Sequence, residues 1–348
     1  MPHKILVTLL AVLGAASGAA RADGPGLDFS GKLFVDLTHL DQKTGDMGRT
    51  GRSGLGLDVK RVYLTAHADF DEVWSAQMTT DSKYIDGEGI TRPFVKKAYL
   101  QGAFSRAAVL RIGSAGLPWI PMVESHYGLR YVENTLVDRL KFGNSADWGV
   151  HLGGDVGPRG RLNYAVSVVN GGGYKHTARS QSLDVGARIG FAPIAGLQIA
   201  VGGYSGKRGK DTAAAHLAHT ARRTDLMLAW ASQGLRVGGE YFRADNWNTV
   251  PGPLADRADG YSLWASQALG QDYVVFARHD RAELSQNLDP SAVDCYYNLG
   301  LQYTLNKAIR LAAVVKYDAR KSTLATSMSG HVDEVRSTEI GVWGELKF

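Results

Sequence analysis

The chain has almost no means of covalent cross-linking: Cys295 is its single cysteine, so no internal disulfide can form. An exported chain without disulfides needs another source of cohesion. Proline is scarce, at 10 residues against 42 glycines, which fits neither a collagen-like nor a Pro-rich disordered composition. Beyond the first residues there is no apolar run of about 18 or more, which excludes a bundle of membrane-spanning helices. Catalytic signatures are missing as well. There is no Gly-x-x-x-x-Gly-Lys-Ser/Thr phosphate loop, no His-Glu-x-x-His and no Gly-x-Ser-x-Gly elbow. The ten histidines are scattered, and the close pair His216 and His219 lies in a polar stretch beside Ala-rich sequence. No cofactor, metal or enzymatic role is therefore expected. A clustered basic helix or stripe is also absent, so the formal net charge of +5 does not point to nucleic acid.

What is present begins with an export signal. Lys4 supplies a positive start, Ile5 to Ala19 an apolar stretch of small and aliphatic residues, and Ala20-Arg21-Ala22 a small-x-small cleavage site. The expected organisation is a signal peptide over 1–22 and one barrel domain over 23–348. Cleavage removes Lys4 and Arg21 and no acid, lowering the net charge from +5 to +3.

The remainder alternates with period two, again and again, between clusters of Gly, Asp, Asn and Ser. That is the pattern of half-buried strands. Val62, Leu64, Ala66, Ala68 and Phe70 fall on one face; Tyr63, Thr65, His67 and Asp69 fall on the other. Leu183 to Phe191 and Cys295 to Tyr303 repeat the pattern. About sixteen such segments occur, starting near 30, 55, 73, 94, 107, 147, 160, 182, 197, 222, 235, 259, 272, 293, 308 and 335. Those near 55, 94 and 272 alternate least cleanly. Short turns (Phe70-Asp71-Glu72, Ala192 to Gly196, Ser232-Gln233-Gly234, Leu305-Asn306-Lys307) take turns with long polar loops (41–53, 82–92, 171–181, 206–218, 245–258, 283–292, 319–334). Short connections at one end and long ones at the other characterise an outer-membrane barrel. Closure is required because lipid offers no partner to backbone polar groups. The last residues keep the rhythm: Ile340, Val342, Leu346 and the terminal Phe348 share one face. A terminal aromatic on an amphipathic strand resembles the recognition signal of proteins inserted by the barrel-assembly machinery.

One connection breaks the rule. Residues 115–146 do not alternate, and they are too apolar and aromatic for a disordered loop. Burial inside the barrel as a constriction loop is the expected solution; packing over the mouth or against a neighbouring subunit is the other. Charges at a narrow point between low-dielectric walls set ion preference. The loop offers Arg130, Glu133, Asp138, Arg139 and Lys141 for this role. Alternation adds Lys97, Arg111, Arg188, Arg310 and Lys316 as pore-lining cations, with Arg236 and several acids also facing inward.

Val95-Lys96-Lys97-Ala98-Tyr99-Leu100, Leu110-Arg111-Ile112-Gly113, Ser145 to Val150 and Tyr164 to Gly171 resemble the porins of the phosphate-selective O/P type, as do Gly239 to Phe242 and Leu299 to Tyr303. The resemblance implies an all-β transmembrane antiparallel barrel of sixteen strands, a homotrimer in the Gram-negative outer membrane, and passive diffusion of small hydrophilic solutes or anions. Outer-membrane lipid and lipopolysaccharide are the expected surroundings. No dense arginine ladder is matched, so the solute stays open. A barrel enzyme of protease or phospholipase type is the alternative; it would use about ten to twelve strands and no constriction loop.

Overall fold

The computed structural model describes residues 26–45, 48, 52–85, 90–177, 179–212, 217–322 and 333–348. The expected signal peptide, His216 and parts of the loops 41–53, 82–92, 206–218 and 319–334 lie outside them.

Sixteen antiparallel strands close into one barrel, each paired with its neighbours in sequence and β1 paired with β16. The first five strands are β1 (Gly26–Thr44), β2 (Gly54–Asp69), β3 (Trp74–Ile85), β4 (Ile90–Ser105) and β5 (Ala108–Gly116). After the long connection come β6 (Ala146–Val156), β7 (Leu162–Val169), β8 (Asp184–Phe191), β9 (Leu197–Gly206), β10 (Ala221–Ser232) and β11 (Leu235–Asp245). The barrel is completed by β12 (Arg257–Leu269), β13 (Tyr273–Glu283), β14 (Val293–Thr304), β15 (Ile309–Ser322) and β16 (Asp333–Lys347). Every expected strand start falls within about four residues of an observed one, because the alternation that marks a strand is the alternation that closure in lipid demands.

Tight turns occupy one end. At Gln233-Gly234 both residues have positive φ, 48° and 82°, as a two-residue hairpin turn matched to strand twist requires. The chain closes on itself where the Phe348 N–H donates to the Gly31 carbonyl and the Gly31 N–H to the Phe348 carbonyl, at 3.2 and 2.7 Å.

The two faces separate as alternation predicts. Leu64, Val166, Ile189, Leu299 and Val315 point outward and are exposed, whereas Asp294, Tyr296, Asn298 and Gln302 point inward and are buried. The outer surface is itself divided. From β2 through β9 the outward positions carry no charged side chain among the described residues. From β10 round to β16 the outward, long-loop ends carry Arg222, Arg243, Arg257, Arg281, Lys321 and Arg336, with acids between them. Tyr241, Tyr261, Tyr297 and Tyr317 form a belt beneath these charges.

Two irregularities bear on function. The register shifts between Phe34 and Val35 where β1 meets β2, and between Thr79 and Thr80 where β3 meets β4. The extra residues are Lys60 and Lys96. They explain why alternation is blurred near 55 and 94: a bulge resets the inward–outward parity partway along each strand. No such shift occurs in β13, where Arg278 and Asp280 face in while His279 and Arg281 face out.

Candidate functional site

The connection between β5 and β6 folds into the lumen. It carries α1 (Ile120–Tyr127) and α2 (Leu136–Arg139) and packs them on the inner wall of β9 to β16. Trp119, Ile120, Val123, Leu136, Val137 and Phe142 are buried, joined there by Met227, Phe242, Trp247 and Phe276 of the wall and of the connection after β11. The apolar content that marked this segment in the sequence is the content of this contact.

A loop inside a barrel has no sheet partner, so its carbonyls need other donors. Wall cations supply them. Arg188 donates to the Pro118 carbonyl at 3.0 Å, Lys316 to Val132 at 2.8 Å, Arg278 to Asn134 at 2.6 Å, and Arg223 to Phe142. The Trp247 indole donates to the Lys141 carbonyl at 2.9 Å. Glu240 fastens both ends of the loop: its carboxylate accepts the Trp119 indole N–H at 3.2 Å and the Leu136 backbone N–H at 2.9 Å. Arg139 reverses the polarity, pairing with Asp280 at 3.1 Å, with Asp294, and with Asp318 at 3.3 Å.

Four expected pore charges thus hold the loop instead of facing open space. Arg139, only 8% exposed, is consumed by three aspartates. Glu133 pairs with Lys316 at 3.3 Å, and Arg188 holds Pro118. Their inward direction follows from alternation, but engagement by the loop is a tertiary matter. Burial would raise the Glu133 carboxyl, yet Lys316 and the Asn134 backbone N–H outweigh it and hold it at about 2. Asp138 lies between Arg130 and Lys141, 3.6 Å from each, and Lys141 is exposed beside it. Arg111 donates to Gln101 at 2.8 Å and leans on the Tyr99 ring.

The lumen left open by the loop is a cavity of about 680 Å³ bounded by β1 to β4, by β16 and by α1. Lys97, Arg130 and Arg310 line it, as expected. So do Arg236, Lys32, Lys96 and Lys347, giving seven cationic side chains against two acidic ones, Glu124 and Glu345. Both carboxylates are already engaged: Glu124 by Arg130 at 2.6 Å, Glu345 by Arg310 and by Lys347 at 3.5 Å. The side chains of Lys32, Lys97 and Arg236 have no hydrogen bond or ion pair among the described residues. Lys32 was not among the expected cations, although the alternation of β1 places it inward. Lys96 was not either, because plain alternation sends it outward.

The connection after β7, described over 170–177, also leans inward. The Tyr174 hydroxyl donates to Asp81 at 3.0 Å, and Asp81 pairs with Arg61 at 2.6 Å. Lys175 lies 4.5 Å from the centre of the Phe94 ring. Burial, reinforced by Lys83, lowers its ammonium to about 8. The sequence placed this stretch among the long polar loops without predicting that reach.

No family model matches the chain, and no curated protein matches it. Solved structures do. The outer membrane channel DcaP of Acinetobacter baumannii superposes with a TM-score of 0.65 at 12% identity, over 95% of this chain and 99% of its own. An anion-selective porin from Comamonas acidovorans gives 0.63 at 13%, over 93% and 100%. OmpT, an outer membrane protein of Vibrio cholerae, gives 0.60 at 13% in a variant lacking loop L8, over 94% and 100%. The fold is the sixteen-stranded barrel of outer-membrane porins.

Proposed function

We propose that the protein is a passive, water-filled channel of the Gram-negative outer membrane that prefers small hydrophilic anions. The observation that carries this reading is the cavity beside α1, with seven cationic side chains and two acidic ones that are both paired. Between low-dielectric walls such an excess raises the local concentration of anions and repels cations. Nothing in the reading requires a chemical step; the loop sets the cross-section and the wall sets the charge. Sixteen strands and an inward loop favour a channel over a barrel enzyme, for which ten to twelve strands were expected.

The divided perimeter supports a homotrimer surrounded by outer-membrane lipid and lipopolysaccharide. The tyrosine belt and basic collar of β10 to β16 suit phosphorylated headgroups. The uncharged face of β2 to β9 suits another copy. Within that face β7 and β8 have only 8 residues each. At ~3.3 Å per residue and ~45° tilt they rise about 19 Å, short of an apolar band about 25 Å tall.

Reconstitution in a planar bilayer under a salt gradient tests the function. Discrete conductance steps with a reversal potential of anionic sign are expected. Folded protein that conducts nothing, or that favours cations, would overturn the reading.

A further inference from the structure

The two bulges do different things with the same device. In an unbroken strand, adjacent residues point to opposite faces, so one of two consecutive lysines would meet lipid. The extra residue of a bulge removes that constraint. In β2 it turns both Lys60 and Arg61 inward, and each meets a buried aspartate there: Lys60 pairs with Asp36 at 3.1 Å and Arg61 with Asp81 at 2.6 Å. That pair is balanced.

In β4 the bulge turns both Lys96 and Lys97 into the cavity. Among the described residues neither meets a carboxylate. Lys96 donates to the Tyr63 hydroxyl at 3.3 Å and stands 4.7 Å from the centre of that ring. Lys97 lies within electrostatic reach of Lys96, Arg111 and Lys32, and the nearest opposing charge, Glu124, is already taken by Arg130. The bulge is also held from behind. Ser114, fully buried at the foot of the constriction loop, donates its hydroxyl to the Lys96 carbonyl at 2.8 Å. Like charges gathered without counterions cost free energy that a purely structural bulge has no reason to incur. The β2 bulge shows that this wall can supply aspartates where balance is wanted.

We infer that the β4 bulge is the selectivity device of the pore and that Lys96 and Lys97 are its specificity-determining pair, presented together at the level of α1 to recruit the passing anion. This rests on the anion preference proposed above. It separates from it because it assigns that preference to two named residues among seven cations.

The test is the reversal potential of the full-length channel in planar bilayers under a tenfold salt gradient. Lys96→Gln and Lys97→Gln are compared singly and together, with Lys32→Gln as a cavity control outside the bulge. Glutamine removes the charge and keeps a polar, hydrogen-bonding side chain one atom shorter, and open-channel conductance together with heat-modifiable migration reports that each barrel has formed. Both single variants are expected to lower the anion-to-cation permeability ratio. The double variant should lower it by about tenfold, and Lys32→Gln much less. A Lys96→Gln channel with unchanged selectivity would overturn the inference, since it would place Lys96 outside the conducting path. A Lys32→Gln effect as large as that of the double variant would overturn it too, by showing that charge anywhere in the cavity suffices. A wild-type channel without anion preference would instead refute the underlying reading. Lys96→Glu/Lys97→Glu supplies a second measurement with the same logic: cation preference is expected, and retained anion preference counts against the pair.

Discussion

A carboxylate's role in this barrel depends on what reaches it. Glu240 and Glu133 illustrate the extremes of position, one on the wall and one on the loop, and both hold the loop in place. Glu240 accepts one indole and one backbone N–H from opposite ends of the segment. Replacing it with alanine removes two hydrogen bonds, each worth roughly 0.5–1.5 kcal/mol. Glu240→Ala should therefore leave the barrel folded but speed amide exchange across 117–145 and add current noise in single channels; unchanged exchange would show that apolar packing alone retains the loop. For Glu133 the sign of the pH dependence follows from its depressed carboxyl. Its folded value of about 2 lies below the ordinary 4.5, so its contribution is complete above about pH 4.5. The contribution is lost as pH falls through about 2. Loop protection is expected to hold steady from neutral pH to about 5 and to decline below that, with the part due to Glu133 absent in Glu133→Gln.

Among the elements, the constriction loop and the connection after β7 both lean into the lumen. The second carries a titratable charge in a useful range. Lys175 loses its proton near pH 8, because burial and Lys83 disfavour the ammonium. Anion preference measured between pH 7 and 9 should therefore weaken as Lys175 becomes neutral. Lys175→Arg should keep the preference level across that range, and a wild-type profile already flat there would remove Lys175 from the conducting path. The strands and their order were legible in the sequence, since period two over sixteen segments leaves few other structures. The bulges were not. Their trace was only blurred alternation near 55 and 94, and a blurred pattern does not say which residue is extra. That is why Lys97 was recognised as a pore cation and Lys96 was not.

For the whole molecule, the divided perimeter predicts unequal tolerance to charge. Val166 faces outward near the middle of β7, on the uncharged side. Val166→Arg is expected to cost about 2–4 kcal/mol at the bilayer midplane, measured by denaturant unfolding in lipid bilayers. Arg243→Gln, in the collar, should change stability little, because its pair with Asp245 spans 3.8 Å between half-exposed side chains. Equal effects at the two positions would mean that the perimeter is not divided in the membrane. The sequence by itself determined the barrel and its strand count, because alternation is a local property that closure in lipid reads directly; it left the apolar loop two places to be buried, and the fold put it in the lumen. Only the tertiary structure decided which inward charges are free. Arg139, Lys316 and Arg188 point into the lumen as surely as Lys97 does. What separates them is a loop more than a hundred residues away from some of its partners, whose backbone and acids must be satisfied before any cation is left to meet a solute.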